Sequence, residues 1–406
     1  MCAMGNVHSY GDQETSEVRT GGPMSTEGRP YQRCARTIMD TTDPDIWFNE
    51  EGVSSHVLRF ESELADGVRR AQAGQRLGEL DDLVAKIKSA GAGKPYDCIL
   101  GVSGGVDSTY LALRAVQLGL RPLAVHFDSG WNSELAVDNI HSLVTRLGLD
   151  LYTQVVDWRE MKDLQLSFFK ASVANADMPT DHAFDLVAFE QARKYGVKYI
   201  LSGANFASES ILPESWGYDA GDAKHIKAVQ KRFGSVKLKS YPLMGLVRRH
   251  FWYPLVRRIQ VVKPLNLMPY VHKDAKRAIA KELGWRDYGG KHYESIFTRY
   301  FQGYYLPQKF GFDKRLAHYS SLILSGQMDR VEALGLLETA NYPEELRKQD
   351  HEFIAKKLGV SVAEFEEICA RPPVHFSAYP NSAATWKLMR RVGVPFGRFA
   401  RHVGLL

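Results

Sequence analysis

The sequence predicts an α/β fold: a parallel β-sheet with helices on both faces, joined to a mostly α-helical C-terminal region. Three observations carry this. A short apolar run at 98–102 opens into Ser103-Gly104-Gly105-Val106-Asp107-Ser108 and then into apolar residues at helical spacing. Short apolar runs and helical patterns alternate from there as far as Ser202-Gly203. Beyond Trp216 the pattern turns helical and aromatic-rich through to Leu406. Strands separated by helical crossovers pair in parallel, and such sheets bind ligands beyond the carboxyl ends of their strands.

In chain order, residues 1–30 carry Gly, Ser, Thr, Glu and Asp without an apolar core and are expected to form a flexible tail rather than a secretory signal. Residues 31–60 suggest a compact appendage. Residues 59–90 predict a helix, because Leu64, Val68, Leu77, Leu80, Leu83, Val84 and Ile87 are interleaved with charge; the Gly and Pro of 91–95 stop it. Strands are predicted at 98–102, 122–127, 151–156 and 199–201. The first has no polar alternation, as suits a strand covered on both faces. Helices are predicted over 134–147, about 161–174 and 181–195. The expected division is therefore a tail (1–30), an appendage (31–60), a helical linker (61–95), a nucleotide-binding sheet (96–215) and a helical region for substrate or partner (216–406).

At about 150 residues per domain, the 406-residue length allows two or three domains and a core that needs no disulfides. The net charge is 52 − 47 = +5, too small over this length to argue for nucleic acid. The four cysteines are scattered, which suits a reducing compartment, so a cytoplasmic address is expected. No apolar run is long enough to span a bilayer, and no membrane partner is expected.

The chemistry concentrates in the glycine loop. A strand running into Ser-Gly-Gly-x-Asp-Ser and a helix gathers backbone N–H groups at the positive end of a helix dipole, which makes an anion site. Gly104 and Gly105 allow close approach, and the Ser103 and Ser108 hydroxyls can bond phosphate oxygens. Asp107 cannot face phosphate alone; its expected partner is a Mg²⁺ bridging to the phosphates. The Walker A lysine is absent, which disfavours a P-loop kinase or GTPase.

With these residues the chain resembles the PP-loop ATP pyrophosphatase superfamily, of HUP-like fold. Further blocks narrow the resemblance: His126-Phe127-Asp128-Ser129-Gly130-Trp131, Pro179-Thr180-Asp181-His182, Ser202-Gly203-Ala204-Asn205, Leu212-Pro213-Glu214-Ser215-Trp216, Gly284-Trp285-Arg286-Asp287-Tyr288-Gly289-Gly290-Lys291-His292-Tyr293-Glu294 and Leu306-Pro307-Gln308-Lys309. In this order they look like the N-acetyl sugar amidotransferases of bacterial surface-polysaccharide and nonulosonic-acid biosynthesis, from about residue 31 onwards. The resemblance implies conversion of an acetamido group on a nucleotide-activated sugar to an acetamidino group. ATP with Mg²⁺ would adenylate the amide oxygen, releasing pyrophosphate, and ammonia would then displace AMP. It also implies an ammonia-supplying partner similar to the glutaminase and cyclase subunits of imidazole glycerol phosphate synthase.

Asp107, Lys291 and Asp128 are the catalytic candidates. Nucleotide contacts are expected from Ser103, Gly104, Gly105, Val106, Asp107, Ser108, Asp128 and Gly203. Asn205 and Glu209 can hold the acetamido group or incoming ammonium, and His182 can shuttle a proton. His292, Glu294, Lys309, Lys314 and Arg315 are further substrate candidates. The resemblance implies a four-cysteine zinc knuckle near the start, but of the four only Cys34 is present; with His56 it gives two ligands where structural zinc wants four. No structural zinc is expected, and apolar packing of Ile38, Ile46, Trp47, Phe48, Val53 and Val57 would hold the appendage instead. Two other functions share the glycine loop: a tRNA-modifying PP-loop enzyme, and an ATP-binding scaffold for a glutaminase that catalyses nothing.

Overall fold

The computed structural model describes residues 29–385 together with 387 and 388. The expected tail therefore lies almost wholly outside the described residues. The helix expected over 59–90 is three helices: α1 (Ser55–Glu63), α2 (Ala65–Gln72) and α3 (Leu77–Gly91). Leu64 leaves the helical conformation (φ −122°), and Gly74 turns left-handed (φ 70°). Apolar spacing alone does not register either break.

The sheet forms from β1 (Cys98–Gly101), β2 (Pro122–Asp128), β3 (Leu151–Val155), β4 (Tyr199–Leu201) and β5 (Gln260–Val262), in the order β3-β2-β1-β4-β5. Every pairing is parallel. The edge strand β5 was not legible in the sequence, because it is three residues long and two of them are exposed. The crossovers are α4 (Val106–Gln117), α5 (Glu134–Leu147), α6 (Trp158–Ala171) and α7 (Met178–Tyr195). α8 (Phe206–Glu209), α9 (Ala223–Phe233) and α10 (His272–Leu283) follow β4 and β5 in turn. Chain direction across the sheet reverses between β1 and β4, so their carboxyl ends frame the switch point where a ligand fits.

Alternate residues of β1 feed opposite cores, as the two-residue period of a strand requires. Ile99 joins Val125, Phe127, Met161, Leu164 and Ala183, whereas Leu100 joins Leu80, Leu111, Ile140, Ile279 and Leu283. The first core continues into the C-terminal region without a break. Phe169 of α6 packs edge-on against Phe297, Tyr305 and Phe365, with ring centroids 5.7, 5.0 and 5.1 Å away. That shared core also takes in Tyr300, Phe301 and Tyr342. Helices Ile296–Tyr300, Lys314–Leu324, Glu344–Leu358 and Val362–Ala370 carry the rest of the region.

In the appendage, Ile38, Ile46, Val53 and Val57 are buried, but Trp47 is 55% exposed and takes no part in the expected packing. Polar contacts supply the remainder. Asp43 binds His56 Nε2 at 2.7 Å and accepts from Ser215 Oγ at 2.7 Å; Cys34 Sγ accepts from Ser54 N at 3.3 Å. Arg330 ties the segment to the C-terminal region through the Thr37 and Cys34 carbonyls, at 3.0 and 3.2 Å. Among the described residues no cluster of three or more His, Cys, Asp or Glu side chains is placed to hold a metal, and no helix is long and apolar enough to cross a membrane.

The loop after α9 is fixed by carboxylates of α6. Glu160 accepts from the N–H groups of Lys239 (2.9 Å), Ser240 (3.0 Å) and Tyr241 (2.7 Å). Burial raises its pKa, but these bonds outweigh burial and hold it below the ordinary 4.5. A depressed carboxylate adds stability above its unfolded pKa that is lost as pH falls through the folded one. Glu160→Gln should therefore cost about 1–3 kcal/mol at neutral pH. Urea unfolding should show that difference shrinking below about pH 4.

Candidate functional site

The site is built where β1 and β4 end. β1 leads into Ser103, and α4 begins at Val106 with Gly105 as its N-cap and no side chain capping it. The first-turn N–H groups are thus left for an external anion. Ser103 Oγ and Ser108 Oγ lie 3.1 Å apart, and Gly105 N donates to Ser103 Oγ at 3.3 Å. Gly104 adopts φ 83°, and its carbonyl accepts from Trp285 Nε1 at 2.8 Å and from the Tyr288 hydroxyl at 3.0 Å. The loop is therefore held in shape by residues nearly two hundred positions later.

A Cβ on Gly203 would stand 3.0 Å from Ser108 N and 3.1 Å from the Asp107 carbonyl carbon. The end of β4 presses on the first turn of α4, and only glycine fits between them. Gly203→Ala should push this turn aside and weaken ATP–Mg²⁺ binding about tenfold or more by calorimetry, with the circular-dichroism spectrum unchanged.

Asp107 points into the same space. The Tyr270 hydroxyl donates to its Oδ1, and Asn205 Nδ2 does so at 3.2 Å. Burial, followed by the charge of Glu209, raises its pKa from 3.8 to about 6, against the lowering effect of Lys291, Tyr270 and Asn205. Asn205 also caps α8, accepting from Ser208 N at 2.9 Å, which fixes its amide toward Asp107. Glu209, at the end of α8, meets Lys291 Nζ at 3.0 Å. Lys291 Nζ also lies 3.2 Å from His318 Nδ1, which itself lies 3.0 Å from Ser208 O. Burial, helped by the Lys291 charge, drives the His318 pKa well below 6.5. The ring is therefore neutral, and its Nδ1 can serve the ammonium or the carbonyl, one at a time.

The structure thus brings together Ser103, Gly104, Gly105, Val106, Asp107, Ser108, Gly203, Asn205, Glu209 and Lys291. His292 and Glu294 border them. His292 holds a left-handed backbone (φ 63°), uncommon for a side-chain-bearing residue, and its Nδ1 lies 3.5 Å from Glu294 Oε1. Burial lowers its pKa to about 4. Glu294 Oε1 is 3.4 Å from where a Cβ on Gly105 would be, so a carboxylate flanks the loop. Asp128 ends β2, where its Oδ1 accepts from Gly130 N at 2.8 Å and from Asn132 Nδ2 at 3.4 Å, shaping the next loop.

Four expected substrate residues are placed otherwise. His182 cannot shuttle protons: Nδ1 donates to Ala220 O (2.7 Å) and Nε2 accepts from Met244 N (2.9 Å), so both ring nitrogens hold backbone. Lys309 Nζ donates to Cys369 O at 2.9 Å, at the end of helix Val362–Ala370. Arg315 is paired with Asp313 and donates to Thr339 O at 2.9 Å. Lys314 lies over the Trp216 ring, 5.9 Å from its centre. Conversely, Tyr270, Trp285, Tyr288, His318 and His272, whose ring centre lies 6.1 Å from that of His318, belong to the site without having been singled out. Trp285 and Tyr288 stand in the same short block as Lys291; Tyr270, His272 and His318 carry no local signal.

The open helix start, the serine pair and the two glycine contacts fit a polyphosphate, and the Asp107 carboxylate fits a divalent cation riding on it. Fold and loop together define the class: a parallel α/β protein with an anion-binding glycine loop at the switch point of its sheet. Residues 294–393 match the family model described as LPS biosynthesis protein WbpG-like, C-terminal domain. That match covers 100 of the 406 residues. A curated relative, GMP synthase [glutamine-hydrolyzing] of Pyrobaculum aerophilum, is 26% identical over 228 residues, which is 56% of this chain. The chain spans 39% of that relative's length. Among solved structures, NMN synthetase from Francisella tularensis is similar at a TM-score of 0.35 and 14% identity, over 70% of this chain and 96% of that one.

Proposed function

We propose that the chain is an ATP-dependent amidotransferase that converts the acetamido group of a nucleotide-linked sugar to an acetamidino group. The observation behind this is the joining of an anion-binding loop to Asp107, Asn205, Glu209 and Lys291 at one switch point. A bound Mg²⁺ would draw charge from the phosphates, held by Asp107, with Asp128 at the end of β2 as a further candidate carboxylate. The loop N–H groups and the Ser103 and Ser108 hydroxyls would hold the β and γ phosphates as pyrophosphate departs. The amide oxygen attacks the α-phosphorus, the bond from that phosphorus to the β-phosphate bridging oxygen breaks, the amide N–H proton passes to solvent, and an O-adenylyl imidate forms. Lys291 offsets the charge that grows on pyrophosphate. Ammonia then adds to the imidate carbon, AMP leaves, and Glu209 is placed to take the proton shed. Asn205 orients both Asp107 and the start of α8.

The curated relative is described as glutamine-hydrolyzing, which supports a glutaminase as the ammonia source, in keeping with the expected glutaminase and cyclase pair. The region from 216 on would supply the sugar contacts. The test is mass spectrometry of nucleotide-linked N-acetyl sugars incubated with the protein, ATP, Mg²⁺ and ammonium. Replacement of oxygen by NH, with AMP and pyrophosphate in equal amounts, is the expected result. Pyrophosphate release with no change in any sugar would overturn the substrate class, and no pyrophosphate at all would overturn the enzyme.

A further inference from the structure

The segment Arg248–Val256, wound as a π-helix, does not bury its apolar residues. Val247 is 69% exposed, Phe251 46%, Trp252 42%, Leu255 47% and Val256 59%, whereas Tyr253 alone turns inward. Five large apolar side chains exposed within ten residues form a contiguous patch of the kind that marks an interaction site. Trp252 also lines a cleft of about 890 Å³ with Lys224, Lys227 and Val247.

The surroundings are cationic. Arg257 and Arg258 follow the segment directly, and the Arg257 guanidinium lies 5.3 Å from the centre of the Trp252 ring. Lys198 donates to Arg257 O at 2.7 Å, and Lys94 donates to Gly196 O at 2.8 Å, so both lysines crowd the same corner. Among the described residues no ion pair neutralises Lys94, Lys198, Arg257 or Arg258, although Arg248 and Arg193 share Glu190. Burial, then the charges of Lys94, Arg258 and Arg257, lowers the Lys198 pKa, as expected of an unneutralised cluster. The chain's own residues 389–406 carry four arginines and no acid, so they share the patch's sign and cannot balance it.

Topology says what this surface does not serve. Lys198 and Arg257 precede β4 and β5, so the basic end of the patch lies at the amino ends of the parallel strands, opposite the carboxyl ends that bear Asp107 and Gly203. A subunit delivering ammonia must open at the other end. Aromatic and aliphatic side chains interleaved with Arg and Lys on one exposed element form instead the footprint of an interfacial segment on an anionic bilayer. We propose that residues 247–258, with Lys94 and Lys198, dock the protein on an anionic membrane surface, leaving the nucleotide cleft facing the water. The lack of a long apolar run, from which no membrane partner was expected, excludes a spanning segment but not a surface contact.

The test is co-sedimentation of the full chain with phosphatidylethanolamine vesicles, with and without phosphatidylglycerol. Binding is expected to the anionic vesicles alone, and to fall as salt is raised. Phe251→Ser with Leu255→Ser, and separately Arg257→Gln with Arg258→Gln, should each weaken it about tenfold or more. Unchanged unfolding midpoints in these surface variants would show that the fold is intact. Failure to bind anionic vesicles, or binding as tight as the wild type's by either double variant, would overturn the proposal. So would sedimentation velocity showing a dimer that the Phe251→Ser, Leu255→Ser variant turns into a monomer, because the patch would then be covered by a second copy.

Discussion

Asp107→Asn should give a protein that is more stable without ligand yet at least about 10³-fold slower in pyrophosphate release. Both effects come from one carboxyl group. Part of the Asp107 side chain faces the cleft, but Tyr270, Asn205 and Glu209 enclose the carboxyl, which is raised from 3.8 to about 6. A group raised in this way favours the folded state below its unfolded pKa and loses that contribution as pH climbs through the folded value. Above about pH 6, the ionised carboxylate therefore costs the empty protein on the order of 1–3 kcal/mol. Asparagine removes the charge, and its carbonyl keeps the bonds from Tyr270 and Asn205. Thermal unfolding of the variant should rise by a few degrees at pH 8 and match the wild type near pH 4. Nucleotide binding reports the other side of the balance. Wild-type affinity for ATP–Mg²⁺ should climb with pH and level off above about 6, when Asp107 is ionised, whereas the variant should show a flat, weak profile. Equal pyrophosphate release by the two proteins would remove Asp107 from the chemistry.

The contrast between Asp107 and its neighbours shows what was legible in the sequence. The loop that carries Asp107 is local: strand, glycines and helix start lie within a dozen residues, so their mutual geometry follows from chain order. The four main strands were legible for the same reason, each being a short strand-forming run beside a turn signal. β5 was not, because an exposed three-residue edge has no pattern to read. Nor were the groups that tune the loop. Tyr270 and His318 reach Asp107 and Lys291 from 163 and 27 residues away, through the packing of α10 onto α4 and of helix Lys314–Leu324 onto α8. The cationic candidates Lys309 and Arg315 failed for the converse reason. A basic residue near a helix end is drawn to the nearest carbonyls or carboxylate, and sequence cannot tell that use from binding an anionic substrate. His182 was misassigned in the same way, its two nitrogens being taken up by backbone from segments 38 and 62 residues away.

Lys291→Met should be as damaging as Asp107→Asn, but with a different signature. Lys291 stands 3.0 Å from Glu209, and both act electrostatically on Asp107, Glu209 raising its pKa and Lys291 lowering it. Removing the ammonium strips the growing negative charge of the leaving group of its counter-charge, which should slow pyrophosphate release by about 10²–10³-fold at saturating ATP. It also leaves the Glu209 carboxylate with its ion pair broken, so the empty protein should lose about 1–3 kcal/mol of stability instead of gaining any. The same change lets the Glu209 charge act unopposed on Asp107. The acid limb of the residual activity, near pH 6 in the wild type, should therefore move to higher pH. Glu209→Gln should shift that limb the other way, because it takes away the second-largest influence raising Asp107. In the double variant, Lys291→Met with Glu209→Gln, the limb should return toward its wild-type position while the rate stays low. A limb that stayed fixed across all three variants would mean that Asp107 is not the group titrating there. A limb that moved as described, with pyrophosphate release undiminished, would leave Lys291 as a tuner of Asp107 and give the leaving group to the loop N–H groups alone.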